Sequence, residues 1–191
     1  MTLLNKRNAR MVLTLLLGLA LYQAFSGDFL SYLNYFTNTG NLAIFVVLVG
    51  IILQKIDEKH LFFAGLISLV INMVYIVLLV DDYDVIGDIL DSDWQWIVLH
   101  YVIPYALLID LYFLPSQWAP TFKRLLGYLW FPVLYVVYAM LYGAFTQDFA
   151  YFFFDVNTLG FQVPLYILGI FTFYFFLGTL FKSLKTLQNR P

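Results

Sequence analysis

Every basic residue of the chain sits in one of four short gaps flanking long apolar stretches. Lys6, Arg7 and Arg10 precede the first stretch, and Lys55 and Lys59 lie between the second and third. Lys123 and Arg124 lie between the fourth and fifth, and Lys182, Lys185 and Arg190 follow the sixth. The remaining gaps hold acid: Asp28, then Asp81, Asp82, Asp84, Asp88, Asp91 and Asp93, then Asp148 and Asp155. With six spans, all the bases fall on one side. Loops rich in Lys and Arg stay cytoplasmic, so both termini are expected there. Another span count would scramble the segregation.

Composition agrees. The 191 residues are 62% hydrophobic and 12% charged, about half the charge of a soluble domain. The expected spans are 9–26, 33–54, 61–80, 94–114, 125–145 and 161–181. Most approach the ~20 residues that cross a bilayer. The fold expected is an all-α polytopic bundle of six transmembrane helices, one domain over residues 1–191. No small-x-small cleavage site follows the first stretch, in Tyr22-Gln23-Ala24-Phe25-Ser26, so it is read as a helix rather than a signal peptide. Trp94 and Trp96 at the outer face and Trp118 at the inner one suit aromatic belts. The absence of cysteine excludes disulfides, thiolate metal sites and a cysteine nucleophile. The net charge of −2 sums two opposite faces and gives no ground for a nucleic-acid partner.

Two polar features interrupt the apolar spans. Asn34, Thr37, Asn38 and Asn41 are spaced i, i+3, i+4 and i+7, one face of a helix at the outer end of span two. His100 lies inside span four. From the span starts, Thr37 lies about 7–8 Å deep and His100 about 9 Å deep, on the same side. A hydroxyl and an imidazole at one depth are the parts of a nucleophile–base pair. Pro104 lacks an N–H, so the carbonyl of His100 loses its helical partner. Pro132 and Pro164 do the same to Tyr128 and Gly160. The plain alternatives are a threonine bonded back to its own helix, asparagines joining helices, and a histidine that only packs.

Asp110 lies ten residues below His100, about 15 Å along the axis, and cannot orient the imidazole. It is expected to pair with Lys55, Lys123 or Arg124, or to join a polar network. Asp155 and Asn157, in the aromatic last external loop, lie at the outer mouth, and Asp155 is the better candidate to hold the imidazole. Asp82, Asp84, Gly87 and Asp93 imitate an EF-hand loop. Ile86 breaks a ligand position and Asp replaces the terminal Glu, so the loop is read as topogenic acid. No metal site or cofactor is expected, and His60 lies in a charged inner loop, away from His100.

Tyr35-Phe36-Thr37 with Asn41, His100 with Pro104 and Asp110, and Gly143 followed by Phe154-Asp155-Val156-Asn157-Thr158-Leu159-Gly160 occur here in one order. Together they resemble the androgen-induced and androgen-dependent TFPI-regulating membrane proteins, and among these the bacterial six-span relatives. The resemblance covers the chain from span two to span six. It implies a multi-pass protein of a bacterial plasma membrane. Animal members are threonine hydrolases of fatty acid esters of hydroxy fatty acids, and by match the threonine is Thr37 and the histidine His100. Thr39, two residues on and off the stripe, offers a second hydroxyl.

The function expected is therefore an intramembrane ester hydrolase, with a fatty acyl ester of the membrane as substrate. Thr37 attacks, His100 takes its proton, and Asn38 and Asn41 are candidate oxyanion donors. Asp155 and Asn157 line the substrate mouth. A carrier or binder of a small amphipathic molecule is the alternative, and a purely structural membrane protein is the third reading.

Overall fold

The structure is a computed structural model and describes residues 3–25, 27–79, 92–114 and 120–187. Every regular element among them is helical. Four helical segments are long and apolar enough to cross a membrane: Glu58–Leu79, Trp94–Tyr112, Phe122–Thr146 and Val156–Leu184. They match the third to sixth expected spans. Two more helices occupy the remaining expected spans. Helix α1 (Leu3–Ala24) starts well before residue 9 and carries its bases within it. Helix α3 (Phe36–Ile52) is apolar but has only 17 residues. The acidic run from Asp81 to Asp91 and Trp118 fall outside the described residues.

Tertiary contacts group the chain into two compact units, Met1–Gly27 with Gly40–Leu114, and Asp28–Thr39 with Pro115–Pro191. Helix α3 passes from one to the other between Thr39 and Gly40.

The first unit is built around α4 (Leu61–Val74), buried at every position from Leu61 to Asn72. An all-round apolar helix belongs inside protein, and α4 is one. It packs most closely on α6 (Ile103–Tyr112). Gly65 makes that contact close: a β-carbon there would stand 2.2 Å from Leu111 Cδ1. The start of α6 continues a π turn, Val98–Val102, which follows the short α5 (Trp94–Ile97). A second π turn, Tyr75–Leu79, extends α4. In the first of them the N–H of Ile103 reaches Val98 O, five residues back.

A charged clasp closes the other end of this unit. Arg10 of α1 is 5% exposed. Its Nε and Nη2 donate to the Asp110 carboxylate at 2.7 and 3.0 Å, and its Nη1 lies 3.0 Å from Glu58 Oε1. Asp110 thus joins a polar network, one of the two expected alternatives, and only its named partners are corrected. Lys55, Lys123 and Arg124 give way to Arg10, because α1 begins at Leu3 and carries the guanidinium into the unit. A buried arginine is tolerable when two carboxylates surround it.

The second unit is organised by a broken helix. Helix α2 (Phe29–Asn34) begins at Asp28, whose side chain accepts from Leu30 N, and ends at Tyr35, an extended residue (φ −90°, ψ 125°). Helix α3 begins at the next residue. This corrects the four-residue stripe: Asn34 closes α2 and is not on the face of α3 that carries Thr37, Asn38 and Asn41. The break strands backbone groups, and side chains satisfy them. Asn38 Nδ2 donates to Tyr32 O at 3.0 Å, and Thr39 Oγ1 donates to Leu33 O at 2.7 Å. From α8 (Trp130–Thr146), Tyr135 donates to Asn34 O at 2.6 Å and Tyr138 to Leu30 O at 2.7 Å. Phe36 N donates to Tyr151 Oη at 3.0 Å. Helix α7 (Phe122–Tyr128), capped by Thr121, and α10 (Val163–Leu187) pack together. Gly143 has a plain use: Phe149 lies against it, and a β-carbon would meet the ring at 2.2 Å.

Candidate functional site

In the first unit, His100 sits in the π turn and is 1% exposed. The carbonyl that Pro104 strands is not left bare. Asn72 of α4 donates to His100 O at 2.7 Å. Asn41 of α3 donates to the neighbouring Leu99 O at 3.3 Å. Two asparagines from two helices thus hold one irregular turn. The same logic operates at Pro132 in the second unit, where the Tyr174 hydroxyl donates to Tyr128 O at 3.4 Å.

The imidazole is clamped by rings. Tyr75 stacks on it with centroids 3.8 Å apart at 25°, and Trp96 at 5.1 Å and 14°. Nδ1 lies 3.0 Å from Trp96 O. A carbonyl only accepts, so Nδ1 carries the proton and, in the neutral ring, Nε2 carries the lone pair. The group that orients the imidazole is therefore a backbone carbonyl of its own helix. The carboxylate of Asp155, expected in that role, is engaged elsewhere. Its oxygens accept from Asn157 N at 2.9 Å, Thr158 N at 3.3 Å and Thr158 Oγ1 at 2.5 Å. The Thr158 hydroxyl, with those amides, holds the Asp155 carboxyl below its ordinary value. Asp155 is thus the N-cap of α9 (Val156–Leu159). Asn157 is exposed and donates to Gln147 Oε1 at 3.1 Å.

In the second unit, Thr37 lies in the first turn of α3 and is 6% exposed. Its side chain hydrogen-bonds with Tyr151, whose hydroxyl also accepts from Phe36 N. Tyr151 is wholly enclosed, and burial pushes its phenol up, so it stays protonated. Thr39 donates its single hydroxyl proton to Leu33 O.

Asn38 and Asn41 take a different form from the expected oxyanion donors. Each turns its amide nitrogen to a backbone carbonyl. What is left without a partner is the oxygen: Asn38 Oδ1, Asn41 Oδ1 and also Asn34 Oδ1 are buried with no donor among the described residues. An unsatisfied oxygen accepts protons and cannot stabilise an anion.

The first unit thus brings Asn41 and His100 to one turn, and the second brings Thr37 and Asn38 to the helix break. Sequence reasoning missed Asn72, Tyr75, Trp96 and Tyr151. A signal existed for Asn72: a carbonyl stranded by Pro104 demands a donor, and Asn72 is the lone asparagine of its apolar stretch. Among the described residues no cluster of three or more metal-ligating side chains occurs. The chain matches no protein-family model, no curated protein and no solved structure.

Proposed function

We propose that the chain is a six-span integral protein of the plasma membrane, with both termini cytoplasmic, that hydrolyses fatty acyl esters with Thr37 as nucleophile and His100 as base. The topology rests on the charge segregation. The chemistry rests on one observation above all: the buried His100 imidazole is fixed by two stacked rings and an Nδ1–H bond to Trp96 O, which makes Nε2 the basic nitrogen. A general base needs that tautomer and that immobility. Thr37 and His100 belong to different units, and their meeting is the step that the proposal adds.

In this reading His100 Nε2 takes the Thr37 proton as Oγ1 attacks the ester carbonyl. The Tyr151 phenol, hydrogen-bonded to Thr37, replaces the asparagines as the donor available to the developing oxyanion. The alcohol leaves and an acyl-threonine remains. The unsatisfied asparagine oxygens equally favour a second reading, a non-covalent binder of a hydroxyl-bearing amphipath. Purified protein in nanodiscs, incubated with fatty acyl esters, separates the two. Hydrolysis to acid and alcohol, lost in Thr37→Ala and in His100→Ala and kept in Thr39→Val, supports the hydrolase. Undiminished hydrolysis in both alanine variants, or substrate bound and recovered intact, refutes it.

A further inference from the structure

We infer that Tyr75 and Trp96 are positioning residues for His100, and that their ring faces stabilise the imidazolium formed when His100 takes up a proton. That is the part an aspartate plays in a Ser-His-Asp triad. The inference rests on the hydrolase reading for the use made of that proton, and all three residues lie in the first unit. His100 is 1% exposed, so water cannot solvate a charge on its ring. A buried charge is costly unless protein groups compensate it. The carboxylates considered for that task are committed elsewhere. Asp110 is bound by Arg10, and Asp155 caps α9 in the second unit. Two aromatic faces meet the imidazole instead. The Tyr75 ring stacks on it at 3.8 Å between centroids and 25° between planes, and the Trp96 indole at 5.1 Å and 14°. An aromatic face carries negative potential, and a cation within about 6 Å of the ring centroid is attracted to it. Both rings meet that condition, and both are stacked rather than edge-on.

The hydrogen bonding fits the same task. Nδ1 donates to Trp96 O at 3.0 Å, and Nδ1 keeps its hydrogen whether the ring is neutral or charged. The bond therefore holds the imidazole against the same rings before and after it gains a proton. Tyr75 follows Asn72 by three residues, and Asn72 holds the His100 carbonyl at 2.7 Å. One stretch of helix thus fixes both the backbone of His100 and a ring face on its side chain. The step balances with no bond made or broken at either ring. The O–H bond of the nucleophile breaks, its proton joins the Nε2 lone pair, and the positive charge spreads over the imidazolium. The charge is discharged when Nε2 gives the proton to the oxygen of the departing alcohol.

The test uses the full chain in detergent, in a His60→Gln background that leaves His100 as the single histidine. NMR of isotope-labelled histidine reads the ratio of imidazolium to imidazole at one fixed pH. Position 75 carries phenylalanine (Tyr75→Phe) or its mono-, di- and trifluorinated forms, which drain the ring face of negative potential and nearly keep its shape. The ratio should fall with each added fluorine, by about two- to fivefold over the series, and hydrolysis of a p-nitrophenyl fatty acyl ester should fall in step. A packing role alone would leave the ratio level across the series, and that result overturns the inference. Hydrolysis that stays level while the ratio falls overturns it too. Fluorinated tryptophans at position 96 repeat the series on the native ring and decide the matter if Tyr75→Phe does not fold. A graded ratio in a protein that hydrolyses no ester supports the stabilising role of the rings and refutes the hydrolase reading, so the two failures are distinct.

Discussion

The carbonyl stranded by Pro104 gives the sharpest stability prediction. At α-helical spacing the missing N–H of Pro104 is the one that would serve His100 O, and Asn72 Nδ2 donates to that carbonyl at 2.7 Å in a buried setting. Replacing Asn72 by leucine keeps the volume and removes the donor. Leaving a buried acceptor bare costs about 1–3 kcal/mol in soluble proteins, whereas hydrogen bonds within membranes average about 0.6 and reach about 1.7 kcal/mol. The upper membrane figure applies here, because Pro104 denies this carbonyl an intrahelical partner in the unpacked helix as well. Asn72→Leu should therefore cost about 1.5 kcal/mol. In a Pro104→Ala background the restored N–H reaches His100 O, and the same change should cost about 0.5 kcal/mol or less. The cycle is measured by reversible unfolding in mixed micelles, with all four proteins compared at one detergent composition. Contacting residues couple by about 0.5–3 kcal/mol, whereas independent ones add to within about 0.5. An additive cycle would refute the claim that Asn72 stands in for the missing amide.

Other outcomes follow from the packing and the charges. Arg10→Leu should be strongly destabilising, by about 3–5 kcal/mol, since it leaves Asp110 without its guanidinium. Glu58→Ala should cost under about 1 kcal/mol, because the Glu58 side chain is 35% exposed against 16% for Asp110. Both are read from detergent unfolding, and equal costs would contradict the assignment of Asp110 as the principal partner. Gly65→Ala should cost about 1–3 kcal/mol by pushing on Leu111, and Gly127→Ala, which meets nothing within 4 Å, should be neutral or stabilising in the same assay. The Asp155 cap should be acid-labile: its folded carboxyl lies below 3.8, so its contribution is whole above that value and is lost as pH falls through the lower folded value. Relative to intrinsic exchange rates, protection of the Asn157 and Thr158 amides should therefore fall in acid in the wild type and be absent throughout in Asp155→Ala.

How much of this was legible in the chain depends on where each interaction partner lies. The third to sixth spans were readable because lipid imposes length and apolarity locally, and the helices Glu58–Leu79 to Val156–Leu184 follow from that. The break at Tyr35 was not. Residues 29–41 carry no proline or paired glycine to announce it. Tyr135, Tyr138 and Tyr151, more than a hundred residues away, satisfy backbone groups at and around the break. Arg10 looked like a flanking charge because nothing local reveals that Asp110 and Glu58 will enclose it. At the candidate site, Thr37 and His100 stood out as polar atoms in apolar surroundings. The π turns, the ring clamp and the direction of each asparagine amide are set by tertiary contacts, so the donors expected at Asn38 and Asn41 are spent on backbone carbonyls.

The central claim is that Thr37 is activated by His100. Its most direct test is to treat the protein with a long-chain fluorophosphonate, digest it and sequence the labelled peptide by mass spectrometry. A single adduct on Thr37 is expected, retained in Thr39→Val and abolished in His100→Ala. An adduct on any other residue, or one on Thr37 that forms equally fast without His100, would contradict it.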